Sequence, residues 1–173
     1  ELGAQAHNPG LLLTSLNADL TRLLRQPDQL IFVSSACVTV DVKTGGMFWA
    51  NAGHPAPAVV RACGGPIERL GQPPGTHAPA MGIDESSTYE TYEGLLGVGD
   101  RLVLYTDGLY EVIDGEGEEF GEERLVAAMQ PGGALLLEDM IRGVLDRVEA
   151  HAGTGDLDDD VCIVGLEVKR VEA

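Results

Sequence analysis

Apolar residues recur at three- and four-residue intervals from the start of the chain, with Leu12, Leu13, Leu16, Leu20, Leu23 and Leu24 falling on one side of a helical turn. Asn8 followed by Pro9 supplies a side-chain acceptor for the first orphan amides and a residue that has no amide to satisfy. The spacing predicts an amphipathic helix over residues 9–26, ended by Pro27. From Ile31 the texture turns β-branched. Phe32-Val33 and then Val38-Thr39-Val40-Asp41-Val42, the turn signal Lys43-Thr44-Gly45-Gly46 and the run Met47–Ala50 predict a β-hairpin.

Ala58-Val59-Val60-Arg61 reads as a further strand. The Gly- and Pro-rich stretch from Cys63 to Met81 reads as a long loop holding one short strand at Ile67 to Leu70. Thr88 to Tyr92 alternates like a strand with one wet face, whereas Arg101-Leu102-Val103-Leu104-Tyr105 is nearly continuous and predicts a buried central strand after a Gly99-Asp100 turn. Glu122 to Met129 and Ala134 to Glu149 suit helices punctuated by Gly132, Gly133 and Gly153, and Val161 to Val168 closes the chain as a strand. Strict βα alternation is absent. The order predicts an α+β domain on antiparallel sheet rather than a Rossmann-like one.

At 173 residues and 44% hydrophobic composition, the chain can bury a core as a single domain over residues 1–173. Its 28 acidic against 11 basic residues give a net charge of -17, which repels nucleic acid and anionic membrane and favours divalent cations and basic protein surfaces. Cys37, Cys63 and Cys162 are odd in number and far apart, without zinc-ligand spacing, so a reduced, cytoplasmic protein is expected. Cys37 and Cys162 lie in apolar runs and are expected to be buried. The opening Glu1-Leu2-Gly3 carries no basic segment or long apolar core, so no signal peptide is expected, and no apolar run is long enough to span a membrane.

Three places suggest chemistry. In Tyr105-Thr106-Asp107-Gly108 an aspartate follows a stiff apolar strand and glycine leaves room beside it; the pattern serves as a metal mount or as ordinary strand-ending turn chemistry. Asp156, Asp158, Asp159 and Asp160 crowd like charges before the last strand, which calls for either screening water or a cation. Asn51-Ala52-Gly53-His54-Pro55 puts one histidine in a turn, where it is either structural or a proton carrier.

Taken in order, Asn51–Pro55, Gly99–Gly108 with Glu111, Phe120-Gly121 and Asp159-Asp160-Val161 resemble the SpoIIE-type phosphatases, relatives of the protein phosphatase 2C (PPM) family. The resemblance implies an αββα sandwich of two antiparallel sheets flanked by helices, with two Mn2+ or Mg2+ ions at one end. It implies a phosphoserine or phosphothreonine protein as substrate, in particular an anti-sigma-factor antagonist of the STAS type. Asp107 matches a metal-binding aspartate, with Gly108 beside it; Asp159 matches the first of the family's Asp-Asp pair and Asp160 the second, while His54 falls where a catalytic role in proton transfer or substrate contact is implied. The family's first metal motif, an aspartate before Gly-His-Gly, has no counterpart ahead of Asn8, and Cys162 replaces a threonine. The domain is therefore expected to be N-terminally incomplete, weak or inactive alone and prone to pair as a homodimer through open strand edges. The alternative is a non-catalytic pseudophosphatase that binds a regulatory partner.

Overall fold

Asn8 accepts the Leu11 amide through Oδ1 at 3.0 Å and starts a helix at Pro9, as the cap signal predicts. The computed structural model describes residues 7–24, 29–71, 78–130, 135–153 and 159–171. In chain order its elements are α1 (Pro9–Leu24), β1 (Ser35–Val40), β2 (Gly46–Ala52), β3 (Ala58–Val60), β4 (Glu68–Arg69), β5 (Tyr92–Leu95), β6 (Arg101–Tyr105), a 3-10 turn (Asp107–Leu109), α2 (Glu122–Ala128), α3 (Leu137–Ala152) and β7 (Ile163–Glu167). Among the described residues this is an α+β fold with two antiparallel sheets and three α-helices. Pro27, Gly132, Gly133, Ala134, Asp156 and Asp158 lie outside the described residues. Among the described residues no helix is long and apolar enough to cross a membrane.

The chain divides into two compact units, residues 1–56, 70–97 and 170–173, and residues 57–69 and 98–169. In the first, β1, β2 and β5 form a sheet in that order, and the predicted hairpin is present, with Val38 opposite Trp49. Leu13, Ala50, Ala52, Met81 and Tyr89 make its core. The stripe that α1 buries runs through Leu13, Asn17 and Thr21, while Leu16 and Leu23 are exposed. Asn17 is fully buried and ties a loop to the helix: its Nδ2 donates to the carbonyl oxygens of Asp84 (2.9 Å) and Ser87 (3.3 Å), and its Oδ1 accepts the Gly82 amide at 2.9 Å.

Two expectations fail here. The strand read at Thr88 to Tyr92 begins only at Tyr92, because residues before it are bonded by α1. Thr14 Oγ1 accepts the Tyr89 amide at 3.0 Å and Thr91 Oγ1 accepts that of Gly10 at 2.9 Å, so side chains take the place of a ladder. Phe32-Val33 is likewise no strand; Val33 makes one isolated bridge to Met81.

In the second unit the sheet order is β4-β3-β6-β7, which sets Arg101–Tyr105 between two neighbours as its continuous apolar pattern predicts. Val103, Tyr105, Leu109, Leu125, Met129, Val144 and Val148 form the core under α2 and α3. Leu137 and Ile141 of α3 sit so close over Gly165 of β7 that a β-carbon there would come within 2.9 Å of either. Cys37 is half-buried and burial pushes its thiol pKa up, but Cys162 is exposed, contrary to expectation. Strand β7 alternates between half-buried and exposed positions, and Cys162 falls on the exposed side.

Candidate metal centre

The antiparallel register pairs Tyr105 at the end of β6 with Ile163 at the start of β7, so the residues that follow one strand meet those that precede the other. Thr106 closes this junction. Its amide donates to the Cys162 carbonyl at 3.0 Å, while its hydroxyl donates to the Asp160 carbonyl at 3.0 Å and accepts the Cys162 amide at 2.9 Å. Asp107 then opens the 3-10 turn, with its carbonyl accepting the amides of Tyr110 (2.8 Å) and Glu111 (3.0 Å).

Gly108 presses directly on the facing segment. A β-carbon on it would lie 2.7 Å from the Asp160 carbonyl oxygen and 3.4 Å from Asp159 Cβ. Any side chain would therefore push the two aspartate segments apart. Asp107 is half-buried; Asp159 and Asp160 are exposed. Each of the first two ties one oxygen locally: Asp107 Oδ1 accepts the Gly108 amide at 3.2 Å and Asp159 Oδ1 that of Asp160 at 2.7 Å. Among the described residues none of the three forms an ion pair with a basic side chain.

Tyr110 records the negative field beside this turn. Burial first, then the charges of Glu122, Asp107 and Glu111, push its phenol up to about 12, with Arg69 opposing. Glu122 in turn accepts the Tyr105 hydroxyl at 3.2 Å and pairs with Arg69. Sequence reasoning passed over Thr106 and Tyr110, although a hydroxyl at the strand end and an aromatic three residues after Asp107 were there to read.

Of the residues singled out from the sequence, the second unit brings together Asp107, Gly108, Asp159 and Asp160. His54 belongs to the first unit. There Asn51 clasps the turn, donating from Nδ2 to the His54 carbonyl at 2.7 Å and accepting the His54 amide at 2.9 Å. The His54 ring nitrogen Nδ1 lies 3.0 Å from the Pro55 carbonyl, an acceptor only, so in the neutral ring the tautomer that fits this contact has its proton on Nδ1 and Nε2 as the accepting nitrogen.

Two aspartate-bearing segments in backbone contact, with no ion-paired basic side chain on Asp107, Asp159 or Asp160 among the described residues, suit the carboxylate share of one hard divalent ion. A full ligand set is not seen: among the described residues no group of three His, Cys, Asp or Glu side chains is placed to hold a metal.

The family profile described as Stage II sporulation protein E (SpoIIE) matches residues 1–169. The chain belongs to the SpoIIE family. Solved structures share the fold of this SpoIIE-type chain at low identity. The SiaA-PP2C domain of Pseudomonas aeruginosa superposes with a TM-score of 0.76 at 17% identity, over 93% of this chain and 61% of that one. The phosphatase domain of SpoIIE from Bacillus subtilis gives 0.61 at 12%, over 91% and 74%. The PPM Ser-Thr phosphatase MsPP from Mycobacterium smegmatis, in complex with cacodylate, gives 0.63 at 20%, over 96% and 76%. The chain thus spans about three fifths of the length of the SiaA domain. No curated protein sequence matches it.

Proposed function

We propose that this chain acts in removing phosphate from phosphoserine or phosphothreonine of a protein in bacterial signalling, using a divalent cation, Mn2+ or Mg2+, at Asp107 and Asp159. The observation that carries the reading is the close contact of Gly108 with the Asp159-Asp160 backbone, which juxtaposes two aspartate segments about fifty residues apart in sequence. Membership of the SpoIIE family supports the reaction class.

In this reading the half-buried Asp107 and the exposed Asp159 hold the cation, and Gly108, having no side chain, lets their segments approach. Thr106 fixes the Asp160 backbone, and Asp160 stands by to orient a water or complete a shell. A bound cation polarises a phosphoryl oxygen and lowers the pKa of a coordinated water. For His54 the resemblance alone implies a role in proton transfer or substrate contact. A phosphorylated anti-sigma-factor antagonist of the STAS type in the cytoplasm is the substrate class that the resemblance implies, and the net charge of -17 argues against nucleic acid or membrane as partner.

The absence of a third ligand among the described residues favours a second reading, a regulatory module that binds a partner without catalysis. Calorimetric Mn2+ titration with a phosphoserine-peptide assay on this chain separates the two. The enzyme reading expects a weak cation site and slow, Mn2+-dependent phosphate release that Asp107→Asn abolishes. A folded chain with neither Mn2+ binding nor turnover would establish the second.

A further inference from the structure

We propose that Thr106 is a positioning residue for the cation site: its hydroxyl stands in for its own carbonyl in the β6–β7 ladder, so that Asp107 leaves the strand while Asp159 stays fixed beside it. The proposal rests on the reading of Asp107 and Asp159 as the residues that hold the cation.

The register of β6 and β7 runs from Arg101 opposite Glu167 to Tyr105 opposite Ile163, and one step further it sets Thr106 against Cys162. At a hydrogen-bonded position of an antiparallel ladder the two residues exchange both bonds, each amide donating to the other's carbonyl. Here half of the exchange is kept. The Thr106 amide donates to the Cys162 carbonyl at 3.0 Å, but the Thr106 carbonyl accepts the Leu109 amide at 3.2 Å and belongs to the 3-10 turn. That would strand the Cys162 amide without its ladder acceptor. It donates instead to Thr106 Oγ1, at 2.9 Å.

A threonine at the start of a helical turn ordinarily bends its hydroxyl back onto the turn's own amides. Among the described residues Thr106 makes no such bond; its backbone is extended, at φ -89° and ψ 160°, and the hydroxyl reaches across to the facing segment. The one proton it can give goes to the Asp160 carbonyl at 3.0 Å, with the Cys162 carbonyl farther off at 3.5 Å.

Asp160 passes this hold on to Asp159. Its carbonyl is bound by Thr106, and its amide donates to Asp159 Oδ1 at 2.7 Å. On the other side Asp107 follows Thr106 directly in the chain, and the Gly108 amide holds its Oδ1 at 3.2 Å. A single hydroxyl therefore sets both carboxylates in one frame, reaching Asp107 through the chain and Asp159 through the Asp160 backbone. Partners of this kind, one bond removed from a ligand, orient it and tune the affinity of the site. Valine has the shape of threonine without the hydroxyl, whereas serine keeps the hydroxyl.

Amide hydrogen exchange and calorimetric Mn2+ titration of the 173-residue chain test this, with circular dichroism to check folding. Thr106→Val should speed exchange of the Cys162 amide by at least about tenfold, because that amide loses its acceptor. It should also raise the Mn2+ Kd by roughly tenfold to a hundredfold, and Thr106→Ser should keep the Kd within about threefold of the original. Val144→Ala is the control: Val144 is fully buried on α3, so the change loosens the core of the second unit without touching the junction, and the Mn2+ Kd should stay where it was. A purely structural role for Thr106 would move the valine variant and the control together. A folded original chain that binds no Mn2+ would remove the cation reading and the proposal with it. Where the original binds, an unchanged Cys162 amide or Mn2+ Kd in Thr106→Val, a serine variant no better than valine, or a control as weak as Thr106→Val would overturn the proposal alone and leave the cation reading standing.

Discussion

Gly108 and Asp160 are in such close apposition that a single added carbon on Gly108 would stand 2.7 Å from the Asp160 carbonyl oxygen. The neighbour is backbone, held by Thr106, and cannot swing aside as a flexible side-chain tip would. Gly108→Ala should therefore destabilise the chain by about 1–3 kcal/mol and widen the gap between the aspartate segments. Urea denaturation reads the first effect. Calorimetry reads the second, as Mn2+ affinity lost by more than the stability change explains.

Asp107→Asn keeps the shape of the side chain and removes its charge. Mn2+-dependent turnover of a phosphoserine protein should fall by at least about a hundredfold with melting temperature little changed. A second readout needs no activity. Asp107 is among the charges that raise the Tyr110 phenol, so its removal should lower that pKa from about 12 in an ultraviolet titration.

Tyr110 also makes stability depend on alkaline pH. Its folded pKa is raised, from 10.0 to about 12, so the neutral phenol is favoured in the native state. The associated stability is fully present below pH 10.0 and is lost as pH rises toward about 12. Tyr105, buried beside Glu122, is shifted in the same direction. Denaturant midpoints should fall steeply across that window, and less steeply in Tyr110→Phe.

Asp100 is only 7% exposed and accepts the Arg61 guanidinium at 2.7 Å and the Ala62 amide at 2.9 Å. Arg61 is mostly buried too, its side chain 24% exposed. Arg61→Ala should cost about 1.5–3 kcal/mol by urea denaturation, because a buried carboxylate loses its charged donor. A loss under about 0.5 kcal/mol would place Arg61 with ordinary surface residues.

The elements most legible from the sequence were those whose pattern has one cause. Strand β6 reads true because a strand flanked on both sides needs apolar residues almost throughout, and α1 because Asn8 and Pro9 act locally. Periodicity misled where tertiary bonding decided. Leucine spacing on α1 pointed to Leu16 and Leu23, yet the buried stripe passes through Asn17 and Thr21, since Asn17 saturates three backbone groups of a loop that spacing cannot foresee. The alternation at Thr88 to Tyr92 records packing on a helix instead of a ladder. At the candidate site the resemblance joined Asp107 and Asp159 in one metal centre, whereas residue patterns alone offered them singly, because the meeting of their segments depends on the β6–β7 register, which no local pattern contains.

The anchoring of residues 82–87 to Asn17 gives that loop a fate in common with α1. Its Gly82 amide exchanges with solvent only when Asn17 lets go, and Asn17 is fixed in a helix that also accepts the Tyr89 amide through Thr14. Loop and helix should therefore behave as one foldon, with the Gly82 amide sharing the protection factor of mid-helix amides rather than the fast exchange of an ordinary surface turn. Asn17→Ala would uncouple the two, leaving helix amides slow while Gly82 exchanges at the rate of a free loop.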